Sequence, residues 1–145
     1  TPGDGPRVAL GADTIVVVRG EVFGKPAGRR EAHKQLQMLA RSSHVVLTAV
    51  AVAAGNIGPG ETPLVGELRA RTSRSRVWFG TLTPELIDAY WDTGEPTDKA
   101  GSYAIQGLAA RYIARLEGSY SGVMGLPLYE TCELLRGVAV LQGDF

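Results

Sequence analysis

The sequence predicts an α/β domain, a mixed β-sheet flanked by helices, on three observations. Two runs rich in β-branched residues, Val8 to Val18 and His44 to Ala54 (HVVLTAVAVAA), read as buried strands. Between them Ala32, Leu36 and Leu39 recur at helical spacing among charged residues, which marks an amphipathic helix over residues 29–41. Thr83-Pro84-Glu85 then supplies a hydroxyl N-cap, a first-turn proline and an early acid, the signature of a second helix start. Strand and helix patterns alternating in this way build a layered α/β domain.

Along the chain, residues 1–10 comprise a Gly- and Pro-rich flexible arm, Thr1 to Pro6, and the start of the first strand, and residues 11–145 form a single domain. The first strand is interrupted at Gly11-Ala12-Asp13-Thr14. An Arg19-Gly20 turn leads to a short Val22-Phe23 strand and the loop Gly24-Lys25-Pro26. After the helix, on whose polar side His33 lies, and the second long strand, Asn56 to Pro63 is a turn-rich loop suited to insertion. Val65 to Phe79 reads as a strand or strand pair in which Arg69, Arg71, Arg74 and Arg76 interleave with small residues, a solvated face or a charge-protected edge. The second helix turns Leu86, Ile87 and Tyr90 inward and stops near Gly94. Leu108 to Leu116 fits either a strand or a helix, and the alternation of Tyr112, Ala114 and Leu116 favours the strand. Gly118 to Gly125 is a loop, and Pro127 opens a last helix with Leu128, Cys132 and Leu135 on one face. Cys132 there is a small core residue.

Composition narrows the function classes. With 145 residues and 44% of them apolar, the chain can build one core. Fifteen basic and fifteen acidic side chains cancel, so no global basic field points to nucleic acid. No stretch is long and apolar enough to cross a bilayer, and the first residues, TPGDGPR, carry no signal-peptide pattern. With one cysteine, Cys132, the chain suits a reducing compartment, and a cytoplasmic location is expected.

Chemistry concentrates in Gly94 to Gly107, GEPTDKAGSYAIQG. It combines two carboxylates, a lysine, hydroxyls, an amide and three glycines. Such a stretch is either a solvated connection or a polar loop that holds a charged ligand, with Lys99 as a point charge and Gln106 offering both a donor and an acceptor. Asp13 within an apolar run is costly to bury as an anion unless it is paired, bound to metal or placed at a cleft. A turn or hydrogen-bonded cap would explain it as well as a catalytic role would. Lys25, fixed between Gly24 and Pro26, is either solvated or aimed at an anion.

Four stretches, GADTIVV at 11–17, GKP at 24–26, GEPTDKAGSYAIQG at 94–107 and GLPLYE at 125–130, occur in the order and spacing of the Maf family. The chain resembles that family from about Gly11 to Leu135. The resemblance implies a fold like that of Maf and inosine triphosphate pyrophosphatase, and a nucleoside triphosphate pyrophosphatase activity. The family is historically known as septum formation inhibitors. By the same resemblance Asp13 is the proton acceptor and holds a divalent metal, Mg²⁺ or Mn²⁺. Thr14 and Gln106 set base preference, and their pairing looks like the branch acting on dTTP and UTP; the branch acting on 7-methyl-GTP usually differs at the glutamine. Lys25 and Lys99 map to phosphate contacts, and a homodimer is implied.

These residue types suit the chemistry. Cleavage between the α and β phosphates needs an aimed water and neutralisation of an anionic leaving group, which a carboxylate, lysines and a divalent ion can supply. The sequence departs from the family in three places. Nothing before Gly11 matches the usual strand and Ser-x-Ser-Pro-Arg-Arg loop, the family's Leu-Ser-Gly turn is Leu39-Ala40-Arg41, and Gly122 stands where an asparagine is usual. Two readings therefore stand: an active pyrophosphatase of dTTP, UTP or modified pyrimidine nucleotides, and a catalytically weak nucleotide-binding protein that inhibits septum formation.

Overall fold

Antiparallel pairing joins the two long β-branched runs directly. The computed structural model describes residues 5–57 and 64–138, in which β1 (Gly5–Val18) pairs with β3 (Ser43–Ile57) from Gly5↔Ile57 to Val17↔Val45. Edge strand β2 (Glu21–Phe23) folds back on β1 through Arg19 and Gly20, both at positive φ. On the other side β4 (Leu64–Phe79) pairs with β3, and the short β5 (Ile113–Glu117) closes the order β2-β1-β3-β4-β5.

The helix-flanked α/β architecture stands, but all four pairings are antiparallel where a mixed sheet was expected. The reason is local. The helix between the first and second long strands follows the β1–β2 turn, so the chain returns beside β1 running the opposite way. Nor is the first strand interrupted: Gly11, Ala12, Asp13 and Thr14 pair in register with Ala51, Val50, Ala49 and Thr48. β3 offers an unbroken partner there, and Gly11 to Asp13 are exposed, so no anion is buried. Pairing already begins at Gly5, inside the segment expected as an arm. Most of the loop expected at Asn56 to Pro63 lies outside the described residues, and Asn56 still belongs to β3.

Alternation along the strands makes one sheet face apolar. Val16, Val18, Val46, Val77 and Phe79 pack there against Leu36 and Leu39 of α1 (Arg29–Leu39) and Ile87 and Tyr90 of α2 (Pro84–Asp92). Thr83 Oγ1 caps α2 by accepting from Leu86 N–H at 3.3 Å. Leu86 itself is 37% exposed, one position off the inward face formed by Ile87 and Tyr90. Leu108–Tyr112 is a 3₁₀ turn leading into β5, so the strand expectation holds only for its second half. The loop expected at 118–125 contains a short helix, α3 (Tyr120–Met124), capped by the Ser119 hydroxyl. In α4 (Leu128–Gly137) the buried residues are Thr131 and Leu134. Of the expected face, Leu135 packs against the core, but Leu128 is 56% exposed and Cys132 half-buried, so the helix is rotated partly away from that face. Leu134 has to meet Val50 and Val52 of β3, which sets that rotation.

Two strained or buried groups yield predictions. Arg41 has φ +55, donates its N–H to Gly80 O at 2.9 Å and occupies the position where the family usually has glycine. Left-handed backbone is unfavourable for a residue with a Cβ, so Arg41→Gly should raise stability by about 0.5–1 kcal/mol, read as a higher denaturant midpoint. His44, 2% exposed, meets the Tyr103 hydroxyl through Nε2 at 2.6 Å, and its Nδ1 has no partner among the described residues. Burial lowers its pKa from 6.5 to about 4. The unfolded chain binds that proton more readily, so stability is fully present above pH 6.5 and falls as the pH drops toward 4, by about 3 kcal/mol in all. Urea denaturation at pH 7 and pH 4.5 should show most of this loss, and His44→Phe should flatten the profile.

Candidate functional site

One cleft of about 240 Å³ opens on the helix-bearing face of the sheet. Ala12, Asp13, Thr14 and Val16 of β1 and Val46 of β3 line it together with Lys25, Asp98, Lys99, Ala100, Tyr103 and α3 residues Val123 and Met124. Asp13, Thr14, Lys25 and Lys99 thus meet, although some seventy residues separate the two lysines in sequence. Gln106 does not join them. It is exposed on the turn at the end of the Gly94–Gly107 stretch and lies outside the cleft lining.

The strand pleat sends Thr14 and Val16 toward the helices and leaves Asp13 exposed at the rim. Asp13 Oδ1 accepts the Thr14 N–H at 3.0 Å. No ion-pair partner stands near Asp13 among the described residues. Thr14 Oγ1 lies 2.8 Å from Thr48 Oγ1, and the Thr48 hydroxyl donates to Gly122 O at 2.6 Å, a chain of contacts from β1 through β3 to α3. Gly122 fits closely, since an added Cβ would approach Ser73 Oγ to 2.5 Å.

The two lysine loops are tied to each other. Gly101 N–H donates to Gly24 O at 3.2 Å, and Gln35 of α1 spans the same gap: its Nε2 donates to Gly24 O at 3.4 Å while its Oε1 accepts the Ser102 hydroxyl at 2.5 Å. Gly101, at φ +70, packs so closely on β1 that an added Cβ would lie 2.8 Å from Val16 Cγ2. Lys99 pairs with Asp98 at 3.1 Å. That contact, with Lys25 adding a smaller share, holds the Asp98 carboxyl below its ordinary pKa. The remainder of the Gly94–Gly107 stretch is folded back on Glu95, whose carboxylate accepts from Leu108 N–H at 2.9 Å, Ala109 N–H at 3.4 Å and the Tyr90 hydroxyl. Burial, with Glu95 adding to it, pushes the Tyr90 phenol up.

Sequence reasoning passed over Asp98, Thr48, Gln35 and Tyr103. Thr48 is the one polar residue in the apolar run from Val45 to Ala54, and Gln35 stands next to Leu36 on the buried side of α1, so a polar residue on an apolar face was the signal available.

The donor set accommodates a divalent ion of one kind. Among the described residues no three His, Cys, Asp or Glu cluster to form a protein cage. Mg²⁺ is usually held by one or two carboxylates together with substrate phosphates, and Asp13 at the rim, with Asp98 on the same cleft, can supply that share.

A family model described as a Maf-like protein matches residues 4–138. The chain belongs to the Maf family. Among curated relatives, the dTTP/UTP pyrophosphatase of Pseudoalteromonas atlantica is 47% identical over 92% of this chain and 65% of its own length. Proteins of the same name from Aliivibrio fischeri and Alkalilimnicola ehrlichii are 46% and 50% identical over 88% and 87% of this chain, and 61% and 57% of their own. The chain therefore spans less than two thirds of the length of these relatives. Among the described residues no helix is long and apolar enough to cross a membrane.

The packing of Gly101 generates a prediction. Gly101→Ala combines left-handed backbone with a clash against Val16, so it should destabilise the fold by about 1–3 kcal/mol and shift the Lys99 loop. Thermal melting and amide exchange of residues 99–103 would register both effects.

Proposed function

We propose that this Maf protein hydrolyses dTTP and UTP, or modified pyrimidine nucleotides, to the nucleoside monophosphate and pyrophosphate. The observation that supports the reading above all is the meeting of a rim carboxylate, Asp13, with two lysines from separate loops in one small cleft. Two ammonium groups suit a triphosphate, and an unpaired carboxylate beside them suits a water molecule. The names of the curated relatives support the choice of nucleotide.

In this reading Lys25 and Lys99 bind the phosphates and offset the charge that develops on the departing pyrophosphate. Asp13 keeps Oδ1 on the Thr14 N–H and receives the water's proton on its other oxygen. The water oxygen bonds to the α phosphorus as the bond to the bridging oxygen breaks, and pyrophosphate leaves with the electron pair. A bound Mg²⁺ or Mn²⁺ would supply further charge neutralisation on the phosphates. Thr14 faces the nucleotide from the cleft floor. Gln106 would reach the base only from its exposed turn outside the cleft lining. A cytoplasmic homodimer is proposed on the family resemblance.

Asp13→Asn should leave the melting temperature within about 1–2 °C of the parent, since the side chain is exposed, while pyrophosphate release from dTTP falls at least about a hundredfold, in the range expected for loss of a general base. Release assayed with Mg²⁺, with Mn²⁺ and with chelator tests this directly. An unchanged rate would remove Asp13 as the proton acceptor. Nucleotide binding by the parent chain without any release would favour the weakly catalytic, septum-inhibiting alternative.

A further inference from the structure

Thr48 is fully buried, and its hydroxyl donates to the Gly122 carbonyl oxygen at 2.6 Å. A carbonyl oxygen has no proton to give, and a hydroxyl carries one. With the Thr48 proton committed to Gly122, the 2.8 Å contact between the two threonine oxygens is made with the proton of Thr14. The Thr14 hydroxyl therefore presents lone pairs, and no proton, to the cleft it lines.

We infer that Thr48 is a specificity-positioning residue, which holds Thr14 as a hydrogen-bond acceptor for the ring N–H of a pyrimidine base. This rests on the pyrimidine nucleotide reading proposed above. Ionised phosphate oxygens only accept hydrogen bonds, so Thr14 in this state has nothing to offer them; its partner must be a donor. Thymine and uracil share a ring N3–H, whereas cytosine has a bare acceptor nitrogen at that place. Acceptor against acceptor leaves both groups unpaired, and a site built around one hydrogen bond rejects an analogue that cannot make it. The open side of Thr14 is kept clear by Gly125, where a Cβ would stand 3.6 Å from Thr14 Oγ1. Selection thus originates two residues away from the ligand, in a backbone carbonyl of α3 that fixes the direction of two hydroxyls.

The test is calorimetric binding of the α,β-methylene analogues of UTP and CTP, with Mg²⁺, to this chain and to Thr48→Val and Thr48→Ser. Valine matches threonine in shape and removes the relay; serine restores the hydroxyl. The parent and Thr48→Ser should favour the uridine analogue by about tenfold or more, and Thr48→Val should bring the two affinities within about threefold. A general loosening of the fold would weaken both ligands together and leave their ratio unchanged. A parent preference that persists in Thr48→Val overturns the relay and leaves the pyrimidine nucleotide reading intact. A parent that binds neither analogue, or both equally, overturns the two together.

Discussion

The pairing of β1 with β3 is the constraint on which the rest of the molecule depends. Its register sets Val16 beside Val46 and Thr14 beside Thr48, so one run of contacts supplies both the core and the cleft floor. A slip of one residue would exchange the two faces of β1, exposing Val16 and Val18 and burying the Asp13 carboxylate. The hydrophobic requirement of the core therefore fixes where the polar residues of the site stand. Below that junction the same face continues through Val50 and Val52 into the smaller cluster beneath α4.

Loops are held to this frame by buried or half-buried polar groups, each binding backbone from another part of the chain. Thr48 takes the carbonyl of Gly122, Gln35 bridges Gly24 and Ser102, and Glu95 gathers the amides of Leu108 and Ala109. Each is one side chain satisfying groups that would otherwise be unpaired on closing the structure. Their effect is to present Lys25 and Lys99 on loops whose spacing is set from behind, by α1 and β1, with Lys99 paired to Asp98 on the cleft side. His44 and Tyr103 make a further buried pair beside the cleft, with the Tyr103 ring edge-on to Phe79 and the His44 ring tilted against it. The cleft thus combines apolar and aromatic groups, Val16, Val46 and Tyr103, with the Thr14 hydroxyl and a charged rim.

Much of this was legible in the residues. The spacing of Ala32, Leu36 and Leu39 gave α1, Thr83-Pro84 gave the start of α2, and the β-branched runs gave β1 and β3, because local periodicity reports which face an element buries. The readings that failed were those that depend on a partner. Gly11 to Thr14 look like a break until β3 is seen to pair with them residue for residue, and the inward face of α4 is decided by Val50 and Val52 rather than by its own pattern. Antiparallel pairing throughout the sheet could not be read from alternating elements, since strand direction is a property of the connections in space.

The sequence by itself determined the family, through four separated stretches in the right order, and it singled out Asp13, Thr14, Lys25 and Lys99, which line one cleft. Only the tertiary structure decided that these four share a cleft while Gln106 stands outside it, that Asp98 lines it with them, and that the Thr14 hydroxyl is tied through Thr48 to the Gly122 carbonyl. The physical reason is that residue type fixes what a side chain can donate or accept. Which of those options remains open depends on neighbours dozens of residues away, and these meet only when the sheet has closed.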